Sequence, residues 1–417
     1  MMQIIDNFQV ANTIRDCLGQ RNYRAKYKYE DVIISWMLAN YCGAKRLEHV
    51  TKIGRSLNIL SDLNIKVCSH DTFGRVMKGL ATDTIAKPGT GKGNGKKLTY
   101  GKYNENLLMN DLLIKGTKCT GLLKENESYC LDMDATEILT ECYEAEKNYL
   151  RNYGFFPMVS FIGKLPVYIS MRGGNVAPSS EIKDCLENSI ELLKKNKITV
   201  GKVRMDAAGF SIKALNYLHD QNIQFYVGGK SSPLVYERLR KNAVWEPITY
   251  KTQKIGWDCE CTSIPYTFAH DTTEFRMVVI RTSVAQRKRP SKWIKRGEYA
   301  YKLVLTNDFE SSISEILTFS NHRATMEHNF HVLKKHYNWN YPPFSFLNQN
   351  MVFFVISALA NNIYQGVLKV LAEKLPELKL GNLRLNKFRR VFITVTCHFL
   401  NEVFCFDDIG IPYEKIM

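Results

Sequence analysis

The chain predicts an α/β protein organised around a mixed sheet. Between Ser128 and Gly229 the pattern runs three strands, helix, strand, helix, strand, with long helical patterns on either side. A second observation sets the scale: 417 residues are too many for one small core and suit two to four structural units. With 45% hydrophobic and 24% charged residues, the composition is that of a folded globular protein and not a disordered one.

Residues 1–118 read as helical. The stretch YEDVIISWMLANYCGAKRLEHVTKI (29–53) carries apolar positions at helical spacing, with basic residues on its polar side. SHDTFGRVMKGLA (69–81) opens on Ser69 as an N-cap and carries Arg75 and Lys78. Such a helix suits the recognition element of a helix-turn-helix, and equally a plain helix of a bundle. KPGTGKGNGKKLTYGK (87–102) is Gly-rich and basic. It is not a nucleotide-binding P-loop: Gly89 to Gly95 is one residue too long, and Lys97 stands where Ser or Thr must hold magnesium. It reads as a flexible basic loop, with Lys92, Lys96 and Lys97 available to phosphates.

SYCLDMDAT is a strand ending in acids, and FPMVSFIGKLPVYISMRGG (156–174) reads as two strands joined at Gly163-Lys164. PSSEIKDCLENSIELLKKN (178–196) is a helix with Pro at its start, ITVGKVRMD (198–206) a strand, SIKALNYLHD a helix and IQFYVGG a strand. That order is the order of a ribonuclease H-like core. Residues 229–306 hold short β-prone runs, TEFRMVVIRTS and YAYKLVLTND, and few helix patterns, so they read as a β-rich insertion. TMEHNFHVLKKHY and FLNQNMVFFVISALANNIYQGVLKVLAEKL are helices, and the basic tail LRLNKFRRVFITVTCHFL is expected to be helical. The expected division is 1–118 helical and DNA-binding, 119–228 first part of the core, 229–306 insertion, 307–372 second part of the core, and 373–417 basic helical C-terminal region.

Composition also bounds the partners. The 57 Lys+Arg against 41 Asp+Glu leave +16, a surplus that favours a polyanion because each neutralised phosphate releases counterions. No secretory pattern opens the chain, and the apolar run MVFFVISALA from Met351 is too short to span a bilayer. Eleven Cys without a CxxC pair read as reduced cytoplasmic thiols, and Cys259 and Cys261 stand too close for a zinc knuckle. His322, His328, His331 and His336 lack Cys partners and an H-E-x-x-H pattern, which argues against zinc.

Asp132 and Asp134 end the first strand and Asp206 the fourth. Those strands are neighbours in such a sheet, so carboxylates from both converge as a hard cation such as magnesium requires. Two such ions about 4 Å apart assist in-line phosphoryl displacement. Asp132 and Asp134, at i and i+2, point the same way, and the strand pattern leaves the choice open. A third carboxylate comes from SNHRATMEHNFHVLKKH (320–336). At about 100° per residue, Arg323, Glu327 and Lys334 fall within roughly 40° on one helical face. Met326, Phe330, Leu333 and Tyr337 form an apolar stripe beside it for docking on the sheet. Arg323 and Glu327 at i, i+4 also fit a surface ion pair; two strand-end acids in the right order favour the site.

At this point the chain resembles the DDE transposases of bacterial insertion sequences. Arg323, Glu327 and Lys334 match the R-(3)-E-(6)-K part of the motif Y-(2)-R-(3)-E-(6)-K, with Ser320 where the family has Tyr. LDMDAT resembles the first-acid block, which selects Asp134, and VRMDAAGFS the second, which gives Asp206. GNVAPSSE and LVLTND also resemble family text. The separations, 72 and 121 residues, fit the branch with a β-rich insertion before the Glu helix. The resemblance implies two Mg2+ ions (Mn2+ as the alternative) on Asp134, Asp206 and Glu327, with Arg323 and Lys334 holding phosphates. It implies binding of terminal inverted repeats and target DNA by a homodimer in a synaptic complex. Such enzymes hydrolyse one strand and then use the 3′-hydroxyl as nucleophile, often through a hairpin. In RKRPSKWIKR (287–296), Arg287, Arg289 and four further cations accompany Trp293, which suits stacking on an unpaired base, or simply a solvated basic loop. The implied location is cytoplasmic, at the nucleoid.

Overall fold

Helices open the chain: α1 (Met2–Asn7), α2 (Val10–Leu18), α3 (Tyr29–Tyr41), α4 (Glu48–Ser56) and α5 (His70–Leu80). The computed structural model describes residues 1–56, 66–88, 100–148, 150–251, 256–285, 293–321, 325–378 and 380–390. Ser69 caps α5 by accepting from the Thr72 N–H at 3.3 Å, and the helix buries Phe73, Val76 and Met77 while Arg75 and Lys78 stay exposed. The 29–53 stretch is two helices and not one, with α3 buried along nearly its whole length.

The segment expected as a loop over 87–102 is anchored in β-structure at both ends. β1 (Ile85–Pro88) pairs antiparallel with β2 (Tyr100–Asn104), and β2 pairs with the main sheet. Lys92, Lys96 and Lys97 lie outside the described residues. After α6 (Leu107–Lys118) comes β3 (Ser128–Ala135), then a small sheet of β4 (Ile138–Leu139), β5 (Glu146–Lys147) and β6 (Tyr153–Phe155). β7 (Met158–Ile162) and β8 (Leu165–Arg172) form the expected hairpin, its two-residue turn opened by Gly163 at φ +61°. α7 (Ile182–Lys195) starts four residues after Pro178, because Glu181 occupies the N-cap in a left-handed conformation. β9 (Thr199–Met205), α8 (Ile212–Asp220) and β10 (Gln224–Gly228) follow.

The insertion holds a helix that the pattern did not reveal, α9 (Pro233–Asn242), capped by Ser232 and started by Pro233. Its strands β11 (Glu246–Lys251), β12 (Gly256–Thr267), β13 (Glu274–Ser283), β14 (Ile294–Arg296) and β15 (Tyr299–Thr306) do not form a detached lobe. β15 pairs antiparallel with β10 and so extends the same sheet. The described order is β1-β2-β8-β7-β3-β9-β10-β15-β13-β12-β11, parallel at β3/β9 and β9/β10 and antiparallel at the other pairings. This is a mixed α/β architecture with one large sheet.

Three helices complete the described chain apart from the short α13 (Leu385–Phe388): α10 (Ile313–Asn321), α11 (Thr325–His336) and α12 (Leu347–Lys374). α12 is long and apolar enough to cross a membrane, yet it is buried inside the fold. It ties the two ends of the sequence together. Trp36 Nε1 donates to Ser357 Oγ at 3.0 Å, and the Tyr41 hydroxyl donates to the Ala360 carbonyl at 2.8 Å. The N-terminal helices therefore share one apolar core with α11, α12 and one face of the sheet. α7, α8 and α9 pack on the other face.

His336 closes α11 inside this core. Burial first, then the adjacent Arg389, lower its imidazole from 6.5 to about 4. The unfolded chain takes up a proton near 6.5 that the folded chain refuses until about 4, so this contribution is complete above 6.5 and declines as pH falls toward 4. Urea midpoints should fall across that window, and His336→Asn should make the fall shallower. Equal slopes for the two proteins would contradict this.

Candidate functional site

A strand register builds the site. In the parallel β3/β9 pair Met133 lies beside Met205, so the chain reaches Asp134 and Asp206 at the same level of neighbouring strands. Both residues are half-buried and border one cavity of about 130 Å3 at the strand ends, walled on the α7 side by Met158 and Ile182. Each is oriented by its own backbone. Asp206 Oδ1 accepts from the Ala208 N–H at 2.8 Å and caps a short 3-10 turn over Ala207–Gly209. Asp134 Oδ1 accepts from the Ala135 N–H at 2.8 Å. Two carboxylates at neighbouring strand ends supply the hard oxygen donors that suit a divalent cation such as magnesium.

The structure distinguishes the two acids of the first strand. Asp132 is 1% exposed and held by both arms of Arg204, Nε to Oδ1 at 2.6 Å and Nη2 to Oδ2 at 2.7 Å. Its oxygens are spoken for by a bidentate guanidinium, whereas Asp134 borders the cavity. The strand pattern missed Arg204, although its place two residues before Asp206 puts it directly beside Asp132 once the β3/β9 register is known. It also missed Gly228. A Cβ there would lie 2.8 Å from the Ala207 nitrogen and 3.2 Å from the Asp206 carbonyl carbon, so glycine lets β10 end against the backbone that carries Asp206.

α11 docks as its apolar stripe predicts. Met326, Phe330, Leu333 and Tyr337 are buried, with Phe330 edge to face on Phe161 at 5.3 Å. Phe161 lies opposite Asp132, and Val159 opposite Asp134, so α11 shares the face of the sheet toward which these acids point. Asn329 Nδ2 donates to the Gly163 carbonyl at 2.8 Å, and Lys334 Nζ donates to the Glu137 carbonyl at 2.7 Å, just past the end of β3. Burial lowers the Lys334 pKa, with Glu137 acting in the opposite sense. Glu327 stands exposed in the first turn of the helix. Among the described residues no three acids, imidazoles or thiols are gathered closely enough to hold a metal ion, so Asp134 and Asp206 are brought together and Glu327 is not gathered with them.

Arg323, Arg287 and Arg289 lie outside the described residues. Trp293 corrects the sequence reading. It is 8% exposed and packs edge to face on Tyr250 at 5.3 Å, so its ring belongs to the insertion's own core and offers no open face to a base.

The sequence model of a family described as "Transposase DDE domain group 1" matches residues 1–393. The chain belongs to this DDE transposase family. Among solved structures, a cryo-EM structure of the piggyBac transposase synaptic complex with hairpin DNA is similar at TM-score 0.43 and 13% identity, covering 99% of this chain and 82% of that chain. No curated protein matches the sequence significantly.

In this DDE transposase-family protein, Gly228→Ala should cost roughly 1–3 kcal/mol in chemical denaturation, the scale of overpacking against backbone. Gly79→Ala in α5, where an added Cβ meets nothing within 4 Å, should be neutral or stabilising. The same effect from both substitutions would contradict the close approach at Asp206.

Proposed function

We propose that this protein is a DNA transposase of insertion-sequence type that cleaves DNA at terminal inverted repeats and joins the freed 3′ ends to target DNA. The observation that carries the reading is the placement of Asp134 and Asp206 side by side, at the border of one cavity, within a chain of the DDE family. The strand order β8-β7-β3-β9-β10, with helices on both faces, supports a ribonuclease H-like core for it.

Asp134 and Asp206 would hold Mg2+ or Mn2+, with Glu327 completing the set from α11. Two such ions, when bound, activate the attacking oxygen and stabilise the leaving one. The protein's own residues do the remaining work. Lys334 sits beside the strand end that carries Asp134, its ammonium now on the neutral Glu137 carbonyl. A phosphate oxygen is the stronger, charge-assisted acceptor, so Lys334 would exchange that carbonyl for the DNA backbone. Arg323 is proposed as the second phosphate contact, and Ser320 lacks the aromatic hydroxyl that the family Tyr would add there. Arg75 and Lys78 on the exposed side of α5, with the cations of 87–102, would grip the repeat, and a homodimer would pair two ends.

The test uses duplexes carrying the repeats that flank the reading frame, incubated with protein and Mg2+. Cleavage at the repeat ends and joined product are expected. Glu327→Gln should lower cleavage on the order of 10²–10³-fold, the scale of losing one preorganised electrostatic contact, with DNA affinity unchanged. Lys334→Ala should weaken both binding and cleavage, and Lys334→Arg should recover part of each. Wild-type cleavage by Glu327→Gln would sink the site assignment, and cleavage without joined product would reduce the protein to a nuclease.

A further inference from the structure

The buried Arg204–Asp132 pair lies beneath the proposed site, and one guanidinium there reaches three segments of chain. Arg204 itself is on β9, two residues before Asp206. Its Nε and Nη2 grip both oxygens of Asp132 on β3, two residues before Asp134. Its Nη1 donates to the Phe319 carbonyl at 2.9 Å in the last turn of α10, eight residues before Glu327. The Phe319 ring lies 4.7 Å from the guanidinium carbon. Arg204 is 9% exposed and Asp132 is 1% exposed, so the cluster is shielded from water.

We propose that Arg204 is the positioning residue of the site: it fixes the relative placement of β3 and β9, the strands that bring Asp134 and Asp206, and ties the end of α10 to them, without touching metal or DNA. This rests on the functional reading above. The geometry matches the task. A planar fork fixes direction as well as distance at Asp132, which a lysine's point charge does not. Its third bond takes a carbonyl at a helix C-terminus, where the helix's own donors have run out and a cation is favoured. A buried ion pair is in general replaceable by apolar side chains of similar volume without loss of stability. What such a replacement would remove is the directional link between β3, β9 and α10.

That difference supplies the experiment. The double variant Asp132→Leu/Arg204→Met and the single variant Arg204→Lys are purified as full chains, melted, and titrated with Mn2+ by calorimetry. Each leaves the three acids intact. Where the melt stays cooperative, Mn2+ affinity is expected to fall about 10–100-fold, the scale found for groups that orient metal ligands. Cleavage should fall on the order of 10²-fold. Wild-type Mn2+ affinity in a cooperatively melting variant would overturn the proposal. Loss of cooperative melting in both variants would also overturn it, because the pair would then serve the fold and not the site. A wild-type protein that shows no Mn2+ binding removes the functional reading itself, and that result is visible before any variant is compared.

Discussion

Two parallel strands held in one register govern most of what this molecule can do. β3 and β9 meet with Met133 beside Met205, and each strand then brings an acid to the border of the same small cavity. A slip of one residue between them would turn one acid to the opposite face of the sheet from the other, since side chains alternate along a strand. The register is secured by the ladder itself and by the Arg204–Asp132 fork, which crosses between the same two strands on the α11 side. The close approach of β10 at Gly228 then confines the backbone of Asp206 from its other flank.

Everything outside that pair of strands supports or extends it. α12 runs buried through the molecule and joins the N-terminal helices to the sheet in one core, so the helices proposed to grip DNA are packed continuously with the layer that carries Asp134. The β-rich insertion is attached through β15 on β10 and widens the sheet on its far side. Its helix α9 and the aromatic pair Trp293 and Tyr250 stabilise it from within. α11 is seated on the core part of the sheet, on Phe161 through Phe330 and on the end of β3 through Lys334.

The sequence made the local features readable. Alternation marked β3, β7, β8, β9 and β10, Gly163 marked the hairpin turn, Ser69 marked a cap, and the stripe from Met326 to Tyr337 marked the docking face of α11. Strand ends singled out Asp206 as a candidate and left Asp132 and Asp134 undistinguished. What stayed hidden depends on partners distant in sequence. Asp132 and Arg204 lie 72 residues apart, and only their register shows that one buries the other. The bond between Trp36 and Ser357 spans 321 residues, so the apolar pattern of α3 could not say that it shares a core with α12. Trp293 looked like a surface aromatic because its neighbours in sequence are cations, and its neighbours in space are not. Glu327 was placed on the correct helical element, but its position relative to the other two acids depends on tertiary packing that a helical wheel does not contain.

The central claim is that Asp134 and Asp206 hold the metal at one place and that Glu327 joins them there. Crystals of the protein with its cleaved repeat ends and Mn2+, measured for anomalous scattering, test it most directly. Anomalous peaks are expected within direct coordination distance of both Asp134 and Asp206, with the Glu327 carboxylate turned to the same ions. Manganese bound elsewhere, with neither aspartate in contact with it, would contradict a metal site at these strand ends.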